Sequence, residues 1–132
     1  MVEAIVKFDG GARPNPGPSA IGYVVEAEEW TTSGNDHIGD STNNKAEYHA
    51  LIAGLEAALD NDVMTVTAKG DSELIVKQVQ GEYSVNEESL RPLYDRIQEL
   101  ISEFEQFDIE HLPRDQNQEA DRLVGEVLSD GS

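Results

Sequence analysis

Four acidic residues stand where chemistry is possible: Asp9, Glu47, Asp71 and Asp121. Asp9 closes an apolar run and precedes Gly10-Gly11. Glu47 follows Asn43-Asn44-Lys45-Ala46, about one turn into a stretch of small apolar residues. Asp71 lies in Lys69-Gly70-Asp71-Ser72 after another apolar run, and Asp121 lies in Glu119-Ala120-Asp121-Arg122, early in the last helical segment. Taken singly, each would be a solvated surface charge or a turn former at a strand end. Brought together, several carboxylates cannot all stay ionised without a cation. The chain has no cysteine, and oxygen-only ligands select Mg²⁺ or Mn²⁺ over Zn²⁺. Two such ions about 4 Å apart clamp the attacking and leaving oxygens of a phosphodiester displacement.

Convergence requires elements that carry these acids to one place. Val2 to Asp9 reads as a strand, and Gly10 to Pro18, dense in glycine and proline, as a loop. Ala20 to Ala27 is a second strand, joined through Glu28-Glu29 to a Thr-rich edge strand over Trp30 to Ile38. Asn43 to Leu59 has a wide face of Ala, Gly and Leu and reads as a helix, capped by Thr42 or Asn43. Val63 to Ala68 is a strand, and Ser72 to Gln80 is a short helix ended by Gly81. Leu90, Leu93, Tyr94, Ile97, Leu100, Ile101 and Phe104 repeat at helical spacing. Pro92 then falls in the first turn, which places the cap at Ser89. Phe107 to Leu112 is a last strand and Gln118 to Leu128 a last helix. This order predicts an α/β fold whose sheet is antiparallel at first and parallel later, with helices on both faces. In such sheets, sites form beyond strand ends and at helix starts.

The 132 residues predict a single domain, 1–132. MVEAIVKFDGG is too short and too soon charged for a signal peptide, and no apolar run approaches a membrane span. The expectation is a cytoplasmic chain with no membrane partner, and a monomer, since no exposed apolar stripe demands a second copy. Nine Lys and Arg face 27 Asp and Glu, for a formal charge of −18. The acids run from Glu3 to Asp130, with apolar periodicity throughout, so they do not form a disordered tail. A dispersed acidic surface fits adaptation to concentrated salt, as in a halophilic archaeon, where self-repulsion is screened.

Four segments, FDGGARPNPGPSAIGYVV, STNNKAEYHALIAGLEAAL, KGDSELIVKQVQGEY and PRDQNQEADRLV, resemble the sequence blocks of type 1 ribonuclease H, in family order and over nearly the whole chain. The resemblance implies the ribonuclease H-like fold, a five-stranded mixed sheet in order 3-2-1-4-5 flanked by helices. It implies two Mg²⁺ or Mn²⁺ ions held by Asp9, Glu47, Asp71 and Asp121, and cleavage of the RNA strand of an RNA–DNA hybrid to 5′-phosphate and 3′-hydroxyl ends. It also implies that Gly10, Gly11, Asn15, Asn43 and Asn44 meet ribose 2′-hydroxyls in the minor groove, the groups that separate RNA from DNA. Thr42 is then expected on a DNA-strand phosphate, and Asn117 among the substrate-binding residues.

Three departures stand out. The Gly81 to Ser89 connection is short and acidic where some relatives carry a basic handle. Glu73 follows Asp71-Ser72 where relatives have Gln, and a carboxylate there cannot donate a hydrogen bond. His111 matches the spacing of a mobile family histidine but reads as a strand residue, so Arg114 is expected to stand in as the phosphate-facing group. Because long-range repulsion nearly vanishes when the Debye length is about 3 Å, binding and activity are expected to tolerate molar salt. The other readings are a catalytically weak nucleic-acid-binding module of the same fold, and a related nuclease that also cuts double-stranded RNA.

Overall fold

The computed structural model describes residues 2–130. Strands β1 (Val2–Ala12), β2 (Gly17–Ala27) and β3 (Thr31–Ser41) are followed by helix α1 (Asn43–Asp60), strand β4 (Val63–Gly70) and helix α2 (Glu73–Gln80). Helix α3 (Arg91–Ile101), strand β5 (Gln106–His111) and helix α4 (Gln118–Asp130) complete the chain. The sheet runs β3-β2-β1-β4-β5. β1 is antiparallel to β2, and β2 to β3, whereas β1/β4 and β4/β5 are parallel. This is the expected mixed sheet in the expected order. The central strand is therefore β1, and Asp9 lies near its end, with Phe8 opposite Gly70, the last residue of β4.

Alternation along β1 sorts its residues between two faces. Val6 and Phe8 are fully buried and pack with Leu51, Leu55 and Ala58 of α1, together with Ile75 of α2 and Ile97 and Leu100 of α3. The opposite face is covered by α4, whose Val124 and Val127 cluster with Ala20 of β2. Helices cover both faces, as expected. α1 lies very close to β1. A Cβ on Gly10 would stand 2.2 Å from the backbone carbon of Ala46, and one on Gly54 would stand 2.6 Å from Val6. Only glycine permits either approach.

Some boundaries differ from expectation. The Gly10–Pro18 loop shrinks to residues 13–16, because Gly10, Gly11 and Ala12 continue the ladder opposite Ile21, Ala20 and Ser19. The cross-strand partners hold these residues extended despite their turn-forming types. Ser89 is not the cap of α3. Its hydroxyl donates to Glu87 (2.9 Å), and a 3₁₀ turn over Glu88–Leu90 leads into the helix, with Leu90 at the cap. α3 stops at Ile101, and Phe104 is buried just beyond it. β3 runs three residues past Ile38, to Ser41. Among the described residues, no helix is long and apolar enough to cross a membrane.

Candidate active site

Asp9, Glu47 and Asp71 come from β1, α1 and the residue after β4, and one oxygen from each lies within 4.8 Å of the others. The close approach of Gly10 to Ala46 places the first turn of α1 against the end of β1. Thr42 caps that turn by accepting from the Lys45 amide at 3.2 Å. Glu47 is thereby aimed inward, where its Oε1 accepts from the Gly10 amide at 2.5 Å.

The electrostatics follow from burial. Asp9 and Glu47 are 8% and 4% exposed. Desolvation, the charges of Asp71 and Asp121, and a hydrogen bond with Asp121 push the Asp9 carboxyl up to about 7, against a hydrogen bond with Glu47 that lowers it. Burial first, and then the charge of Asp9, hold Glu47 well above the ordinary carboxylate range. Glu47 Oε2 is buried with no hydrogen-bond partner. A buried acceptor without a donor is costly, and a cation shared with the two neighbouring carboxylates would satisfy it. The donor set is all oxygen, which suits Mg²⁺ or Mn²⁺. The residues present therefore fit the divalent ions the resemblance implies.

Asp121, in the first turn of α4, lines the same cleft of about 410 Å³ but stands outside the tight group of three. Its Oδ1 is 3.3 Å from Arg114, whose side chain is 75% exposed. The charge of Asp121, followed by those of Asp9 and Asp71, raises the Arg114 pKa. His111 ends β5, exposed, with Nε2 3.3 Å from the Asp71 carbonyl oxygen.

Asn117, expected among the substrate-binding residues, is fully buried. Its Nδ2 donates to Phe8 O and to Asp71 Oδ2, each at 2.9 Å, tying the end of β1 to a site carboxylate. Asn43 and Asn15 are exposed and spend their side-chain oxygens internally. Asn43 Oδ1 accepts from the Ala12 amide (2.8 Å), and Asn15 Oδ1 accepts from the Asn43 amide (3.1 Å). Asn44 lines the cleft beside them. Gly10 gives its amide to Glu47, while Gly11 lines the cleft. Ser72 and Arg13 also line it. Neither was singled out from the sequence, although Arg13 lies four residues after Asp9. Glu73 is exposed at the start of α2.

A mixed sheet in this order, with an acidic cluster at the ends of its parallel strands, defines a protein of ribonuclease H fold. The crystal structure of RNase H1 from the halophilic archaeon Halobacterium salinarum superposes with a TM-score of 0.93 at 42% identity, covering 97% of this chain and 98% of that one. LC11-RNase H1, solved in complex with an RNA/DNA hybrid, gives a TM-score of 0.89 at 39% identity, covering 97% and 98%. In sequence, ribonuclease HI of Halobacterium salinarum is 44% identical over 93% of this chain, and the bifunctional protein Rv2228c of Mycobacterium tuberculosis is 37% identical over 96%. The chain spans 63% of the first relative's length and 36% of the second's. The family model described as reverse transcriptase-like matches residues 7–127. The chain belongs to the type 1 ribonuclease H family.

Proposed function

We propose that this chain hydrolyses the RNA strand of RNA–DNA hybrids with two divalent ions, Mg²⁺ or Mn²⁺, leaving 5′-phosphate and 3′-hydroxyl ends. The observation that carries this reading is the meeting of Asp9, Glu47 and Asp71 within 4.8 Å, with a buried Glu47 oxygen left unpartnered. Asp9, Glu47, Asp71 and Asp121 would hold the ions. When bound, the ions make water more acidic and stabilise charge on the attacking and leaving oxygens.

The chain's own groups do the rest. Asp9, from the central strand, would hold an ion together with Glu47 and Asp71. Burial raises the pKa of both Asp9 and Glu47, and a bound cation would offset that cost. The Gly10 amide aims Glu47 and the Asn117 amide aims Asp71, so the carboxylates need little rearrangement. Arg114 is charged at every pH and exposed at the cleft, where it can pair with a phosphate. Gly10, Gly11, Asn15, Asn43 and Asn44 would lie along the ribose hydroxyls, with Thr42 serving a DNA-strand phosphate. The complex of LC11-RNase H1 with an RNA/DNA hybrid supports this substrate. The formal charge of −18 supports work in concentrated salt; the chain acts as a cytoplasmic monomer on this reading.

The test compares hybrid, RNA duplex, DNA duplex and single-stranded RNA with Mg²⁺ or Mn²⁺, for wild type and Asp9→Asn. Cutting of the hybrid's RNA strand by wild type alone is the expected result. Equal rates for Asp9→Asn and wild type would overturn the metal assignment. Binding without cutting would favour the weak binding module, and cutting of the RNA duplex would broaden the substrate.

A further inference from the structure

With nine Lys and Arg among 27 Asp and Glu, nearly every cation should find an acidic neighbour. Six do, from Lys7 with Glu26 at 3.5 Å to Arg114 with Asp121 at 3.3 Å. Arg91 lies over the Tyr94 ring instead. Among the described residues, Arg13 and Lys45 have neither kind of partner, in a chain where acids outnumber bases threefold.

Arg13 lies at the cleft of the carboxylate cluster, and Lys45 sits on the helix that carries Glu47. Arg13 is exposed in the β1–β2 turn and lines the cleft that holds Asp9, Glu47 and Asp71. Lys45 is in the first turn of α1, two residues before Glu47. The turn and the helix are clasped through Asn43, which accepts from the Ala12 amide and donates its own amide to Asn15. The clasp holds the turn that carries Arg13 against the start of the helix that carries Lys45.

We propose that Arg13 and Lys45 are the phosphate anchors that hold a nucleic-acid backbone beside the carboxylate centre. The inference rests on the hybrid reading above and adds the residues that supply its electrostatic grip. A cation already paired must break that pair to meet a phosphate, whereas these two keep their full charge. A polyanion approaching elsewhere meets mostly acidic surface, so these two cations also select the direction of approach. Each phosphate neutralised on a duplex contributes about 0.9 to the slope of log K against log salt. The two anchors together contribute about −2 to that slope, which over a tenfold rise in salt is ~60-fold in affinity. A basic binder with six or more contacts loses over 10⁵-fold across the same range.

The test is fluorescence anisotropy of a labelled RNA–DNA hybrid, with Ca²⁺ in place of Mg²⁺ to hold off cleavage, across a salt series. Arg13→Ala and Lys45→Ala are each expected to weaken binding about 3–10-fold at 0.1 M salt and to make the slope shallower by about 1. Arg13→Lys should keep most of the affinity. Lys77→Ala and Arg96→Ala, which remove paired cations, should bind as wild type does, and melting curves of all variants establish that they fold. If wild type binds the hybrid while Arg13→Ala and Lys45→Ala match it, or match the paired-cation controls, the anchors are wrong and the hybrid reading stands. If wild type neither prefers nor cuts the hybrid, the hybrid reading itself falls.

Discussion

Replacing Asp9 by Asn should stabilise the metal-free protein and abolish its response to metal. Asp9 is 8% exposed, and its carboxyl is pushed up to about 7 from an ordinary value of 3.8. Below 3.8 the side chain is neutral whether folded or unfolded and costs nothing. The cost begins as pH rises past 3.8, where the unfolded chain releases the proton and the folded chain does not, and it is complete above about 7. Holding the proton to about 7 in the folded chain, against 3.8 in the unfolded one, corresponds to about 4 kcal/mol by linkage. An amide removes the charge but not every hydrogen-bonding constraint, so a gain on the order of 2–4 kcal/mol is expected at pH 8. For a domain of this size that raises Tm by roughly 7–14 °C. The assay is thermal unfolding in EDTA at molar salt, which screens the overall −18 charge, at pH 8 and pH 4. The variant should melt well above wild type at pH 8, with the gap nearly closed at pH 4. Added Mn²⁺ should raise wild type by about 2.7 kcal/mol at a hundredfold excess over Kd and leave Asp9→Asn unmoved. A variant that melts at or below wild type at pH 8 in EDTA would refute the burial argument. One that still gains from Mn²⁺ would refute the ligand assignment.

Gly10→Ala places a methyl 2.2 Å from the backbone of Ala46. It should cost at least about 1–3 kcal/mol by overpacking, seen by urea unfolding, and weaken Mn²⁺ binding because Glu47 moves with α1. Asn117→Ala removes both donations, to Phe8 and to Asp71. A loss of about 2–4 kcal/mol is expected, with weaker Mn²⁺ binding by calorimetry, and a stability equal to wild type would deny the tie. Cleavage rates measured from 0.2 to about 2 M salt should persist, because screening removes the repulsion between two polyanions; collapse of activity well below 1 M would count against salt adaptation.

The order of strands and helices and the position of the acids were legible because periodicity and punctuation agree along most of the chain. Where they failed, a tertiary partner outweighed a local preference. Gly10, Gly11 and Ala12 look like turn residues, yet opposite Ile21, Ala20 and Ser19 they stay extended. Ser89 looks like a cap, but its hydroxyl is drawn to Glu87. Asn117 carries no local mark of burial; only the meeting of β1 and the Asp71 loop makes it an interior tie. Gln78 is similar, a polar residue of α2 that is buried because Tyr48 of α1 donates to it at 2.7 Å. The pairing of Arg114 with Asp121 joins residues whose mutual approach depends on the start of α4, and no spacing rule announces it.

The two points where α1 touches β1 through glycine have a consequence for how such a chain can change. The gap between Asp9 and Glu47 is decided where Gly10 meets the Ala46 main chain and Gly54 meets Val6. Solvent-facing residues take no part in that distance. The outer surface is thus free to turn acidic, residue by residue, without retuning the centre, and brine and catalysis can make their demands on separate sets of atoms.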